Sequence, residues 1–378
     1  MSAASGRLIV LAAGGTGGHV FPAEALAAEL AGRGFGLALV TDARGRAIRV
    51  GEREVTTHRV MAGGIAGKNP WARVLGVLNL GLGAVQAFRL LGRLAPGAVI
   101  GFGGYASFPT LLAATLKGLP TAIHEQNAVL GRANRLLARW VGGIATSFAE
   151  TDGVPAGAAA RAVCTGMPVR PAVVAAPYRA PDADGPVNLF IIGGSQGARI
   201  FSIVIPAAIA LLPENIRRRL VVVQQCRPED LERTRTAYRW AGIEVELSSF
   251  FADAPERMAA AHLVISRSGA SSVAELAAIG RPAILVPYRL AADDHQAANA
   301  RAVANIGAGW LTSEAAFTPE ALAAQLVRLL GDPGALKGAA TAMAALARPD
   351  AARALADMVA ALVPPSAAPS PAHRSFPS

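Results

Sequence analysis

The sequence predicts two α/β domains in tandem, each a parallel sheet covered by helices on both faces. Three observations carry this. Apolar runs rich in β-branched residues end in glycine clusters after residue 13 and again after residue 192, helical patterns separate successive runs, and a Pro- and Ala-rich segment without periodicity lies between the halves. The chain has 378 residues, more than one ordinary domain holds, and 52% of them are hydrophobic, too many for a disordered chain. Forty glycines and 25 prolines without a Gly-X-Y period exclude collagen and point to many tight turns.

Residues 7–13 (RLIVLAA) read as the first strand, followed by a glycine turn and a helix over 21–33 in which Leu26 and Leu30 recur at helical spacing. Strands are expected at 37–41, 98–100, 121–124 and 144–146, each leading into a loop or helix. Residues 175–186 (AAPYRAPDADGP) are the interdomain connection. The strand 187–192 (VNLFII) then repeats the opening pattern by running into glycines, and strands at 220–224, 263–266 and 283–286 continue it. The expected layout is a Rossmann-like domain over 1–174, a linker over 175–186 and a second Rossmann-like domain over 187–345. A helix over 346–362 returns to the first domain, and 363–378 form a disordered tail.

A membrane-spanning helix needs about 20 apolar residues in an unbroken run. None is expected: the longest uncharged stretch, 94–116, is interrupted by Pro96, Gly97, Gly101, Gly103, Gly104 and Pro109. The first 13 residues resemble the apolar part of a signal peptide, but glycines stand where a cleavage site should follow, so they read as a strand. Two cysteines, Cys164 and Cys226, far apart in the chain, suggest neither a disulfide framework nor a zinc site and fit a cytoplasmic protein. The net charge of +10 is almost entirely arginine and suggests anionic partners such as phosphates, nucleic acid or anionic lipid; Arg-rich composition of the genome gives the same excess. In residues 69–94 the apolar side chains cover more than one helical stripe, flanked by Lys68, Arg73, Arg89 and Arg93. Arg132, Arg135 and Arg139, with Trp140, add basic charge to the same domain. This combination reads as a surface that docks on anionic lipid, with a buried core helix as the alternative.

Glycines after a parallel strand let backbone approach a ligand, and the next helix offers free N–H groups to an anion. Both glycine loops qualify. Neither matches GxGxxG at the usual spacing, and no GxxxxGK[ST] occurs. Asp42, at the end of the second strand, stands where a dinucleotide binder keeps its ribose-binding acid, which keeps a nicotinamide enzyme as a rival reading. His19 directly follows the first loop at the carboxyl edge of its sheet, where a group with a pKa near neutrality is placed for general-base work. Asp182-Ala-Asp184 matches a metal-binding DxD pattern but falls in the linker; His124 and His295 can orient loops, and His58, His262 and His373 read as ordinary.

Six motifs occur in order: GGTGGHVFP (14–22), GGYASFP (103–109), HEQN (124–127), GGSQGAR (193–199), SRSGA (266–270) with Glu275, and DDHQ (293–296) with Asn299. Together, over residues 7–360, they resemble the GT-B glycosyltransferases that add N-acetylglucosamine to the undecaprenyl-linked muramyl-pentapeptide, converting lipid I to lipid II. The resemblance implies a GT-B fold, two Rossmann-like domains with parallel sheets facing a deep interdomain cleft, and an inverting, metal-independent transfer with no cofactor. Carried over by motif, His19 is the base that deprotonates the acceptor's 4-hydroxyl. Thr16, Gly17 and Gly18 line the donor and leaving-group side, Asn127 contacts the donor sugar, Ser195 binds the diphosphate and Arg170 reaches the donor from the domain junction. Glu275 accepts from the ribose diol, Phe251 with Ala270, Ser271, Ser272, Val273 and Ala274 frames the uracil and ribose, and Gln296 holds sugar hydroxyls. Tyr105 and Glu125 are assigned to the acceptor side.

The partners implied are UDP-GlcNAc, undecaprenyl-linked lipid I, an anionic membrane surface and other cell-wall or division proteins, with no nucleic acid. The place implied is the cytoplasmic face of the inner membrane. Met167 departs from the family's usual Asn and Ser272 from its usual Thr. Another GT-B transferase, a nucleotide-sugar epimerase and a non-catalytic nucleotide-sugar-binding scaffold are the alternatives.

Overall fold

The computed structural model describes residues 8–14, 17–43, 45–63, 70–194 and 197–363; Lys68, Asn69 and the tail beyond Val363 lie outside the described residues. The first half contains β1 (Leu8–Ala12), α1 (Gly17–Gly32), β2 (Gly36–Thr41), the hairpin β3 (Arg49–Val50) and β4 (Arg53–Glu54), β5 (Thr56–Arg59) and α2 (Pro70–Leu94). It continues with β6 (Ala98–Gly101), α3 (Ser107–Leu116), β7 (Thr121–Glu125), α4 (Arg132–Leu137), β8 (Gly143–Thr146) and β9 (Ala162–Cys164). The second half contains β10 (Val187–Ile192), α5 (Arg199–Ala210), α6 (Glu214–Arg217), β11 (Leu220–Gln225), α7 (Leu231–Trp240), β12 (Val245–Ser248), α8 (Ala254–Ala260) and β13 (Leu263–Ser266). After these come α9 (Ala270–Ile279), β14 (Ala283–Leu285), α10 (His295–Asn305), β15 (Gly309–Leu311), α11 (Pro319–Leu330), α12 (Pro333–Ala345) and α13 (Ala351–Leu362).

The two large sheets have the orders β5-β2-β1-β6-β7-β8-β9 and β12-β11-β10-β13-β14-β15, parallel throughout. Each reverses direction once, between β1 and β6 and between β10 and β13, and the crevices at such reversals are where ligands bind in α/β sheets. Alternation of side chains explains the unbroken apolar runs. In β1, Ile9 and Leu11 join Leu26 and Leu30 of α1, while Val10 points to Leu91 of α2 and Leu111 of α3. In β10, Leu189 and Ile191 meet Phe201 and Ile205 of α5, and Phe190 meets Leu276 of α9 and Met343 of α12. A strand buried on both faces has no polar side, so the period of two is invisible in its composition.

α13 crosses back to the first domain, where Leu355, Ala356 and Val359 complete its core and Asp357 pairs with Arg33 at 2.6 Å. The connection between domains is tied to the second one. Arg281, 3% exposed, donates to the carbonyls of Ala176 and Pro177, and Arg219 donates to those of Asp182 and Gly185.

By length and composition alone, α2 goes beyond the expectation that no run is long enough to span a membrane. Val74–Leu94 is long and apolar enough to cross one by length and composition. A search for uncharged stretches stops at Arg89 and Arg93 and so misses a helix that tolerates both. Only Gly76, Gly83, Ala87 and Leu91 of that segment are buried. Ala87 and Leu91 face the core, and Val74, Leu75, Val77, Leu78, Leu82 and Phe88 are exposed. Gly83 lets the helix lie on the preceding loop, since a Cβ there would stand 1.9 Å from the Met61 carbonyl oxygen. Of Arg132, Arg135 and Arg139, counted toward a lipid-facing charge, two are engaged within the protein: Arg132 pairs with Asp293 at 2.6 Å and Arg135 donates to the Leu130 carbonyl.

Candidate active site

The loops leaving β1 and β6 touch backbone to backbone. Gly14 N–H donates to the Gly103 carbonyl at 3.1 Å, and a Cβ on Gly104 would lie 2.6 Å from the Gly14 Cα. Gly103 and Gly104 also hold φ of 84° and 78°, which other L residues rarely adopt. This flat seat carries the His19 imidazole: a Cβ on Gly103 would sit 3.1 Å from its Cε1, and one on Gly104 3.4 Å from its Cδ2.

Burial holds the His19 pKa below the ordinary histidine value, opposed by Gln126, Glu125 and the Phe102 carbonyl, and the nearby His295 adds to the lowering. Its Nδ1 is buried with no hydrogen bond closed. Gln126 is held in turn: its Nε2 donates to the Phe102 carbonyl at 2.8 Å and to His124 Nδ1 at 3.1 Å. His124, fully buried, therefore carries its proton on Nε2 and donates to the Gly166 carbonyl at 3.1 Å. Burial brings its pKa down to about 4, against the raising influence of that carbonyl.

Glu125, assigned from sequence to the acceptor side, is 2% exposed and organises the loop after β7. Its Oε1 accepts from the backbone and side-chain nitrogens of Asn127, and its Oε2 from Gly131 N–H and Asn134 Nδ2 at 3.0 and 2.8 Å. Asn127 reaches the second domain, where its Oδ1 accepts from Asn299 Nδ2 at 3.1 Å. Asn299, fully buried, also accepts from Ala128 N–H at 2.8 Å and donates to the Ser268 carbonyl. Gln296, one turn earlier in α10, accepts from Tyr288 N–H through its side chain and from Ser268 Oγ through its carbonyl. Tyr105 lies at the surface ahead of α3, 40% exposed.

Two helices meet at their N-termini across the domain seam. A Cβ on Gly18, in the first turn of α1, would lie 3.8 Å from Ser271 Oγ in the first turn of α9. α9 begins after extended Gly269 with no side-chain cap and no acid in its first turn, so its N–H groups and positive dipole end are open to an anion. Ser272 and Gly17 lie in these same first turns, as does Val273, which is buried in the core, and Ala274 follows it. Arg170 spans the seam: Nε and Nη2 both donate to Glu275 Oε1, at 3.0 and 2.8 Å, and its guanidinium stands 5.5 Å from the Phe21 ring. Burial raises the Glu275 pKa and Arg170 opposes that. Phe251 differs from the rest: it is 8% exposed, its ring edge-on to Phe190 and under Arg257, so little of it is left to meet a ligand. Thr16 and Ser195 lie outside the described residues. Met167 is buried and lines a cavity at the domain junction with Phe148, Cys164, Val273, Ala274 and Leu346. Among the described residues no group of three or more His, Cys, Asp or Glu could hold a metal ion.

Sequence reasoning gave no role to Gln126, Asn299 or Phe21, and counted Arg132 only toward a lipid-facing charge, not toward its pairing with Asp293. For Asn299 a signal existed: it stands three residues after Gln296, on the same face of a helix.

The glycosyltransferase family 28 N-terminal domain model matches residues 9–146 and the family 28 C-terminal domain model matches 188–355. The chain belongs to glycosyltransferase family 28. Among its relatives in family 28, it is 59% identical over 332 residues to the UDP-N-acetylglucosamine–N-acetylmuramyl-(pentapeptide) pyrophosphoryl-undecaprenol N-acetylglucosamine transferase of Paramagnetospirillum magneticum, covering 87% of this chain and 90% of that one. The crystal structure of Acinetobacter baumannii MurG superposes with a TM-score of 0.76 at 30% identity, covering 94% of this chain and 99% of that one. A UDP-GlcNAc 2-epimerase from Neisseria meningitidis superposes with a TM-score of 0.64 at 11% identity, covering 94% of this chain and 100% of that one, a likeness of fold alone. The family 28 fold is thus the two-domain GT-B arrangement of parallel sheets.

Proposed function

We infer that this chain is a hexosyltransferase that moves N-acetylglucosamine from UDP-GlcNAc to the 4-hydroxyl of the muramoyl-pentapeptide of lipid I, giving lipid II and UDP. The observation that carries the reading is 59% identity, over most of both chains, to a transferase named for that donor and acceptor. The geometry supports a division of labour. With Nδ1 turned into the protein, His19 offers Nε2 to the cleft as the base. It takes the hydroxyl proton, the oxygen bonds to the anomeric carbon, and the bond from that carbon to the diphosphate breaks with its electron pair leaving on UDP. Attack opposite the leaving group inverts the centre.

Charge developing on the diphosphate meets the open N-terminus of α9, with Ser271 and Ser272 in its first turn; Ser195 is assigned to the diphosphate by its motif alone. Gly17 and Gly18 border the leaving group, to which Thr16 is assigned by its motif alone, and Ala270, Val273, Ala274 and Phe251 border the nucleoside. Gln296 and Asn127 hold the sugar, and Tyr105 faces the acceptor. Glu275, paired with Arg170, accepts from the ribose diol. Glu275→Ala is expected to weaken UDP binding by about 1 to 3 kcal/mol through loss of a charged hydrogen bond; equal affinity in titration calorimetry would remove Glu275 from the ribose site.

The lipid-linked acceptor gives a reason for the exposed apolar side chains of α2, with Arg89 and Arg93 beside them. α2 docks the enzyme peripherally on the cytoplasmic face of the inner membrane, where anionic headgroups attract the basic chain. Leu78→Glu with Leu82→Glu is expected to release the protein from anionic liposomes in flotation while leaving UDP affinity unchanged. Flotation equal to that of the native protein would place the docking surface elsewhere. The transfer itself is tested by incubating labelled UDP-GlcNAc and a lipid I analogue with EDTA present. Disaccharide product supports donor, acceptor and metal independence together, and product only without EDTA overturns the last.

A further inference from the structure

We propose that Arg132 and Asp293 are positioning residues whose ion pair fastens the donor-sugar loop of the second domain onto the first; this rests on the transfer proposed above. Two successive residues other than glycine, Asp293 and Asp294, hold left-handed backbone with φ of 53° and 52°. Such conformations persist only where surrounding contacts enforce them. They sit immediately before α10, whose first two residues are His295 and Gln296. His295 Nδ1 is 2.6 Å from the Ala292 carbonyl, which fixes the start of the helix to the strained turn.

What enforces the turn comes partly from the other domain. Arg132 Nε, at the start of α4, donates to Asp293 Oδ1 at 2.6 Å; the aspartate side chain is 21% exposed and the arginine 86%. One turn into α10, Asn299 bonds Asn127 and Ala128 of the first domain. The loop 127–132 is therefore attached to α10 at two points, and Gln296 lies between them in sequence. Asn127 and Gln296, the two amides assigned to the donor sugar, come from opposite domains, so their separation depends on how the domains are held. Asn299 supplies a buried, fixed attachment. The Arg132 pair, at the water-facing end, supplies the part that salt and mutation can adjust.

The pair acts on donor capture rather than on the bond-making step, because neither residue reaches the His19 seat. In steady-state assays of the full-length protein with UDP-GlcNAc and a lipid I analogue, Arg132→Gln and Asp293→Asn are each expected to raise the donor KM about two- to five-fold, the range for an exposed ion pair. The turnover number should stay within about two-fold. Asn tolerates left-handed backbone, so Asp293→Asn removes the charge without altering the turn. The double variant should match either single one, and raising the salt should lift the native donor KM towards that of the variants while leaving theirs unmoved. Unchanged donor KM in the single variants, or additive effects in the double one, would overturn the proposal. A native protein without transferase activity would instead overturn the proposed function, and this inference with it.

Discussion

His19→Ala is expected to lower turnover by about two to four orders of magnitude while UDP-GlcNAc affinity stays within a few-fold, as befits loss of a general base. The imidazole lies on the Gly103–Gly104 backbone, at the β1–β6 edge of the cleft, and the donor contacts proposed above use other groups. Its depressed pKa sets the sign of the pH dependence. Only the neutral ring accepts a proton, and burial keeps it neutral below pH 6.5. The kcat/KM profile of the native enzyme should therefore be flat from neutral pH downward and fall only beneath 6.5, with a slope of one proton. An acid limb centred at or above 6.5, or an alanine variant with native turnover, would remove His19 from the mechanism.

Glu125→Ala is expected to cost about 3 to 5 kcal/mol of stability, read as a lower urea midpoint. The carboxylate is buried and accepts four hydrogen bonds, two of them from backbone N–H groups of Asn127 and Gly131 that have little water to turn to. Glu125→Gln separates charge from shape. The new amide nitrogen has to face a donor, so the loop cannot keep all four bonds and about half the loss should remain. Because that loop carries Asn127, both variants should also lose donor affinity. A stable alanine variant with native UDP-GlcNAc affinity would refute the organising role.

The fold was legible where strands are buried on both faces. LIVLA is an unbroken apolar run, and VNLFII is broken only by Asn188, because helices cover both sides. β5, β9, β12 and β15 escaped notice because they are short edge or near-edge strands carrying exposed or polar residues, such as Arg59, Val163 and Glu246. The glycine loops were legible as places of close backbone approach, but no local pattern says that the loop at Gly14 lies against the one at Gly104. The same holds for Arg170 with Glu275 and Asn127 with Asn299, which are 105 and 172 residues apart. Such pairs follow from the docking of two domains, and periodicity carries no information about docking. α2 was legible as a helix over 69–94 with a wide apolar surface, but its membrane-spanning length was not, because two arginines near one end interrupt an uncharged run without interrupting a helix.

The return of α13 has a consequence for how the protein is made. The sheet nearest the N-terminus is assembled from residues 8–164, yet Leu355, Ala356 and Val359 fill one of its two faces. While the ribosome is still adding those residues, the first domain exposes the apolar side chains of α1 and β1 that α13 will cover. The second domain's described elements run from residue 187 to 345, so it can close before the last turns emerge. The domain that is synthesised first is therefore the last to be completed.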